Sequence, residues 1–340
     1  MPSVLGTQVS NWDNYSRNHW GGAGADIDIH VEKYEGLIDG SFKYNSLFRS
    51  MRMADKVTLN NTNTYRWDRF GGAEAYGRSP GEELVEQRMI NDKVTTVIER
   101  ALYVRHIFDR QDDWTSPDMT SRVGDEQGKA LARAYDRAGI TKLIHATEWK
   151  APADLKKTGA FHDGFNLTMD GFGAETDRKA RAQMIIEGVE QMIQHAYETD
   201  QDADLSQFQI LISPKWFSDL MEHDKLINVD FASGNGNYAQ RKIAVLNGIK
   251  LMETPRLDFR TVGADNPYGK EFVRTAEQSK TGLIMFNPAH TLLEIEAHGV
   301  KSEQFEEKKD WARFLDTYYM SKFEIRRGDS AFGLRTDVIA

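Results

Sequence analysis

The spacing of apolar and polar positions divides the chain into strand-like and helix-like stretches. Asp28 to Gly40 (DIHVEKYEGLIDG) predicts a short helix that ends at Gly40. Met53 to Trp67 carries the β-favouring residues Val57, Leu59, Thr62, Thr64 and Tyr65. Asn91 to Phe108 is stronger: Val94, Val97, Ala101, Tyr103 and Val104 lie among Thr95, Thr96 and Ile98 with no glycine or proline. Ser116-Pro117 supplies an N-cap followed by proline at the first helical position. From there Met119, Val123, Leu131, Ala134, Tyr135 and Ala138 recur at three- and four-residue spacing. They predict a helix of roughly 30 residues, about 45 Å, reaching about His145; Gly124, Gly128 and Gly139 weaken it. A second helix is predicted from Thr176 to about Glu198, with Ile185, Val189, Met192, Ile193 and Ala196 as its apolar stripe.

Shorter elements follow. Phe208, Ile210 and Ile212 alternate as a strand stopped by Pro214, and Trp216, Phe217, Leu220 and Met221 mark a short helix. Asn247-Gly248 between two apolar runs predicts a tight hairpin. Leu283 to Phe286 reads as a buried strand, Leu292 to Ile295 as another, and Trp311 to Arg326 as a long strand closed by Gly328. Trp149 to Ala174, with glycines at 159, 164, 171 and 173, reads as an insertion loop. Strands and helices are mixed without a βαβ repeat, so the fold class is α+β.

The segment FGGAEAYGRSPGEELVEQ, Phe70 to Gln87, joins two strand-like stretches and therefore predicts a projecting hairpin. About 20 residues without structure exceed an ordinary connection in a compact domain and point to a functional arm. It is not a phosphate cradle. Gly71, Gly72, Gly77 and Gly81 do not match G-x-x-x-x-G-K-[ST], no lysine follows Gly81, and G-x-G-x-x-G is missing.

Other candidates are equally bland. Gly328-Asp-Ser330-Ala-Phe-Gly333 resembles a serine elbow, but its second glycine is one residue too far, and a turn after the last strand explains it. Asp26-Ile27-Asp28-Ile29-His30 on an extended segment is a conceivable weak metal site, against simple solvated acids. His162-Asp163 reads as solvated loop, Glu82-Glu83 and Glu306-Glu307 as charged surface, and the Met and aromatic stripes at 184 to 193 and 216 to 221 as core. No catalytic residue, cofactor or metal is expected.

Composition narrows the class further. Against 43 Lys and Arg stand 52 Asp and Glu, a net charge of −9 over 340 residues, so a general nucleic-acid binder with a basic face is disfavoured. Without cysteine there is no disulfide frame, thiolate zinc site or cysteine nucleophile. MPSVLGTQVSNWDNYS lacks the features of a signal peptide, no run reaches the ~18 apolar residues of a spanning helix, and roughly the first 28 residues read as a polar arm.

Five segments in order resemble the major capsid proteins of tailed phages with the Hong Kong 97-type fold, nearest the short-tailed, podovirus-type branch. They cover roughly Val31 to Ala340. KYEGLIDGSFKYNSLFRSMRM from Lys33 is similar to the family's N-terminal arm and short helix. FGGAEAYGRSPGEELVEQRMINDKVTTVIERALYVRHIFD is similar to its extension loop and return strand. The run from Pro117 is similar to its spine helix, VLNGIKLMETPRL from Val245 to its axial-domain hairpin, and YYMSKFEIRRGDSAFGLRTDVIA to its terminal strand, with Gly328, Gly333, Leu334 and Arg335. Two features depart from the pattern: Thr336-Asp337 stands where relatives often have Pro-Glu, and the insertion at 151 to 174 is longer than usual.

The resemblance implies an N-terminal arm at 1–50, an extension-loop hairpin at 51–108, a peripheral domain at 109–176, an axial domain at 177–290 and return strands at 291–340. It implies a virion protein, assembled in the host cytoplasm, whose copies form hexamers and pentamers of an icosahedral shell. Scaffolding and portal proteins would be its assembly partners, and packaged double-stranded DNA a non-specific one. The extension loop would meet a neighbouring subunit through Gly71, Gly72, Glu74, Gly77, Arg78, Gly81, Glu82, Glu83, Glu86 and Arg88, although a solvated face explains any one of those charges as well. Some relatives cross-link subunits through a lysine in this arm. Here no lysine occurs between Lys56 and Lys93, so contacts without covalent links are expected. An encapsulin-type compartment shell is the alternative within the fold, and a soluble hydrolase using Ser330 the alternative outside it.

Overall fold

The computed structural model describes residues 26–73, 75–84, 86–109, 119–199, 203–223, 226, 236–237, 242–243, 245–260, 263, 266–307 and 312–338. In chain order come helices α1 (Asp26–Asn45) and α2 (Leu47–Met51), then strands β1 (Asp55–Thr58), β2 (Thr64–Phe70), β3 (Asn91–Val97) and β4 (Leu102–Asp109). Helices α3 (Met119–Thr147) and α4 (Ala153–Lys156) precede β5 (Phe165–Met169), α5 (Arg178–Thr199), β6 (Gln209–Ile212) and α6 (Pro214–Leu220). The rest is β: β7 (Gly236–Asn237), β8 (Lys242–Ile243), β9 (Val245–Leu246), β10 (Ile249–Glu253), β11 (Thr281–Phe286), β12 (Leu292–Glu307), β13 (Ala312–Ile325) and β14 (Ala331–Thr336). The chain divides into two compact units, residues 1–50, 101–133 and 298–320 in one, and 51–100, 134–297 and 321–340 in the other.

In the first unit β13 pairs antiparallel with β4, from Ala312↔Asp109 to Tyr319↔Leu102, and β12 lies on the other side of β13. One sheet face is buried: Phe42 of α1 meets Tyr319 edge-on at 5.1 Å. Gln127 of α3 donates to the Leu315 carbonyl (3.2 Å) and accepts from the Thr317 hydroxyl (2.6 Å). Helices α1 and α3 approach closely at Gly128, where a Cβ would stand 2.7 Å from the Cβ of Ser41. Beside it the Ser41 hydroxyl donates to the Asp125 carboxylate (2.7 Å).

The second unit is built on a mixed sheet, in order β5-β14-β11-β6-β10-β9. Strands β5/β14 and β6/β10 are parallel, and the other pairs antiparallel. Every residue of β11 is buried. Helices α5 and α6 pack Ile185, Val189, Met192, Trp216, Phe217 and Leu220 against this sheet. Asn247 (φ 48°) and Gly248 (φ 85°) make the tight turn between β9 and β10, as the Asn-Gly pair predicts.

The differences from expectation have physical causes. Helix α1 does not stop at Gly40. It runs on to Asn45 and buries Ile38 and Phe42, a gain larger than the roughly 1 kcal/mol a mid-helix glycine costs. Asp26 to His30 is therefore helical rather than extended. Asn91 to Phe108 is two strands, broken at 98–101, whose halves pair with β2 and β13. The insertion at 149 to 174 contains α4 and β5. Residues 331–336, read as an ending after the last strand, form β14 inside the large sheet. The Ser116-Pro117 cap lies outside the described residues. Among the described residues no helix is long and apolar enough to cross a membrane, and no cluster of His, Asp or Glu is arranged to hold a metal ion.

Candidate assembly interface

The projecting hairpin is the feature that the sequence singles out, and its geometry separates a fastened root from an open tip. β2 and β3 pair from Thr64↔Val97 to Phe70↔Asn91, and the ladder is extended by Gly71 N–H donating to the Ile90 carbonyl (2.8 Å). Alternation turns Tyr65, Trp67, Arg69, Val94 and Thr96 to the more buried side, and Arg66, Asp68, Phe70, Lys93 and Thr95 to solvent.

Arg69 fixes the root. Its guanidinium donates to the carbonyls of Arg326 (3.0 Å) and Ile325 (2.8 Å), lies 3.6 Å from Asp92 and faces the Trp149 ring at 5.3 Å. Burial pushes its pKa below the ordinary arginine value, and Asp92, Glu324 and Asp329 oppose that shift, so it stays charged. Thr96 donates to Glu324 (3.3 Å), and Lys322 donates to the Val97 carbonyl (3.3 Å). Gly71 and Gly72 rest on the 157–160 segment. A Cβ at Gly71 would lie 3.0 Å from Thr158 Cγ2, and one at Gly72 3.1 Å from the Ala160 Cβ.

The supporting segment is itself held. Asp163 takes Lys156 (2.9 Å), Lys150 (3.3 Å) and the Ala151 N–H (3.0 Å). These partners hold its carboxyl at a pKa of about 2. His162-Asp163 is thus a structural tie, not a solvated loop, because two lysines and a backbone amide converge on it.

Beyond the root the tip is exposed, with Tyr76 at 55%, Leu84 at 76% and Met89 at 62% of their full accessibility. Ser79 to Glu82 is a turn closed by Glu82 N–H to the Ser79 carbonyl (3.1 Å), with Pro80 second and Gly81 at φ 96° third, the type II arrangement. Arg78 Nε donates to the Glu82 carbonyl (2.6 Å), and the Glu82 carboxylate accepts from Ser79 N–H (2.9 Å). Glu83, Glu86 and Arg88 are exposed, Gly77 faces open space, and Glu74 lies outside the described residues. Five of the named residues thus have defined local roles: Gly71 and Gly72 allow close approach, and Arg78, Gly81 and Glu82 shape the turn. Sequence reasoning missed Arg69 and Thr158, whose partners lie far along the chain, and misread Asp163 as solvated.

Ser330 lines a cavity of about 440 Å³ together with His162, His290, Arg327 and Asp329. Its hydroxyl pairs with that of Thr291 (2.8 Å) and donates to the Arg327 carbonyl (3.1 Å), while Asp329 is held by Arg327 at 2.7 Å. Among the described residues neither histidine bonds Ser330, so these groups are not connected as a nucleophile and base.

Neither a protein-family model nor a curated protein matches the chain. Solved structures do. A chain of the bacteriophage PhiM1 mature capsid is 30% identical, with 87% of this chain and 88% of that chain covered and a TM-score of 0.75. The capsid of the cyanophage P-SCSP1u shares the fold at 15% identity, TM-score 0.71, covering 84% and 87%. So does a virus-like particle from Pyrococcus furiosus at 10% identity, TM-score 0.55, covering 90% and 99%.

Proposed function

The chain belongs to the major capsid proteins of tailed bacteriophages, and from that premise we propose that its hairpin arm is a joint between subunits of an icosahedral shell. The observation that carries this is the contrast within the arm: a root fastened by Arg69, Thr96 and the Gly71-Gly72 seat, and a tip exposing Tyr76, Leu84 and Met89. A two-stranded ribbon is marginal in water on its own, so an exposed apolar tip calls for a partner surface. A neighbouring copy supplies it, with Arg78, Glu82, Glu83, Glu86 and Arg88 available for pairing across the contact.

Heterologous contacts of this kind close into rings, here hexamers and pentamers, and rings into a shell. Scaffolding and portal proteins guide that assembly, and the finished virion shell encloses double-stranded DNA, which an acidic subunit holds without a specific grip. The role is structural and involves no catalysis. A 30% identical phage capsid chain favours the viral shell over the encapsulin-type compartment, for which the likeness is one of fold at 10% identity.

The test is electron microscopy of the purified protein beside a variant in which residues 75–88 are replaced by a short Gly-Ser turn. The unmodified chain is expected to form closed particles, and the variant to remain as folded, unassembled subunits. Closed particles from the variant would overturn the arm's role.

A further inference from the structure

The turn between β9 and β10 brings together two residues that can react with each other. Asn247 (φ 48°) and Gly248 (φ 85°) both lie in the left-handed region, and both are exposed. Among the described residues the Asn247 carboxamide has no hydrogen-bond partner. The strands pair Leu246 with Ile249, so the ladder makes no use of the Gly248 amide. Gly248 has no Cβ, and beyond its chain neighbours no atom stands within 4 Å of where one would be, so the approach to its nitrogen is open. The Asp-Gly pairs of the chain differ, because each is held. Asp39-Gly40 lies inside the ladder of α1. The Gly164 amide donates to the Trp149 carbonyl (2.8 Å), with Asp163 gripped by Lys150 and Lys156. The Gly171 amide donates to Asp337 (2.9 Å). Of the other Asn-Gly pair, Asn235-Gly236, the asparagine lies outside the described residues.

We propose that Asn247 is a site of spontaneous deamidation, with the chain's own backbone as nucleophile and water as co-reactant. The Gly248 amide gives its proton to hydroxide, and its nitrogen bonds to Asn247 Cγ. The side-chain nitrogen leaves as ammonia, which closes a succinimide ring. Water then opens the ring at either carbonyl. Opening at Cγ leaves aspartate; opening at the main-chain carbonyl of residue 247 leaves isoaspartate, whose main chain runs through Cβ. One asparagine and one water thus become one aspartate or isoaspartate and one ammonia. Ring closure changes the main-chain torsions of Asn247, so it proceeds from a locally opened turn. β9 is two residues long, lies at the edge of the large sheet and pairs with β10 alone, so opening there leaves the core in place. Either product adds a negative charge to a chain that already carries −9. Isoaspartate also adds one main-chain carbon to the turn. That breaks the two-residue register which sets the buried Leu246 (1% exposed) against Ile249 (0%). The step needs no enzyme and no neighbouring subunit, so it stands independently of the shell reading and proceeds in every copy on its own.

Trypsin isolates the site. The peptide IAVLNGIK, between Lys242 and Lys250, contains a single asparagine, and Asn235 falls in a separate peptide ending at Arg241. The folded, unmodified chain is held at body temperature in mildly alkaline and in mildly acidic buffer, then digested and weighed by mass spectrometry. Loss of the amide form of IAVLNGIK is expected, with a matching gain of two products of one mass, aspartate and isoaspartate. The loss is expected to be faster in the alkaline sample, and faster than any conversion at Asn166, whose carboxamide donates to the Thr147 carbonyl (2.8 Å). Asn247→Gln is expected to abolish it, since closure would need a larger ring. An intact IAVLNGIK in the folded chain overturns the proposal; rapid conversion of the same chain in urea would then show that the turn protects the pair. Equal rates in the two buffers, or conversion at Asn166 at the same pace, overturn it as well. Should Asn247→Gln fail to fold, hydrogen exchange of the aged, unmodified chain decides. Amides of β9 and β10 are expected to exchange faster than in fresh protein while those of β11 do not, and no difference between aged and fresh protein counts against the site.

Discussion

At the scale of single residues, glycines of opposite character lie in one chain. Gly128 sits where a Cβ would press on Ser41 Cβ at 2.7 Å and on the Ile38 carbonyl at 2.9 Å, while Gly77 has nothing within 4 Å. Gly128→Ala is therefore expected to destabilise the subunit by about 1–3 kcal/mol, the usual range for overpacking. Gly77→Ala should stay within about 0.5 kcal/mol of the unmodified chain. Thermal melts of the unassembled subunits measure both; equal melting temperatures would refute the close α1–α3 crossing. Arg69 is the other decisive side chain. Arg69→Ala removes two charge-assisted hydrogen bonds to the carbonyls of Ile325 and Arg326, at about 1.5–3 kcal/mol each before water replaces them. Amides of β2 and β3 should then exchange faster while those of the large sheet do not. Arg69→Lys is expected to rescue little, since the bidentate fork is lost.

At the scale of elements, the 150–163 segment depends on one carboxylate. Asp163 has a pKa of about 2 in the fold against an ordinary 3.8. Its stabilising effect is thus complete above about 3.8 and is lost as the pH falls through about 2. At neutral pH, Asp163→Asn should raise hydrogen exchange in residues 150–163, and the difference from the unmodified chain should disappear near pH 2. The two departures from the family pattern prove to be connected, because Asp337 accepts from the amides of Gly171 (2.9 Å) and Gly173 (2.8 Å) in the long insertion. Elements with a local signal were legible in the sequence: the stripe of α5, the Asn-Gly turn, the buried β11 and the projecting hairpin. β5 and β14 were not, because each is short and is made a strand by its partners, Phe332↔Phe165 through Thr336↔Met169. The break in Asn91 to Phe108 was hidden for a similar reason, since its two halves answer to strands far away in the chain. Of the arm, sequence marked the tip and missed the root, whose fasteners are long-range contacts.

At the scale of the whole molecule, a shell assembled without a lysine in its arm should come apart completely. Boiled in detergent, assembled particles are expected to run as a single subunit band, and a ladder of linked subunits would contradict that. The arm also gives assembly its own clock. Arg78 and Arg88 are the only trypsin sites between Arg69 and Lys93, and both lie on the exposed tip. A free subunit offers them to the protease, whereas under the proposed joint a subunit built into a ring would cover them. If that joint forms, the fraction of chains left uncut at Arg78 and Arg88 after a brief trypsin pulse is expected to follow closure of the lattice in real time, without any label attached to the protein.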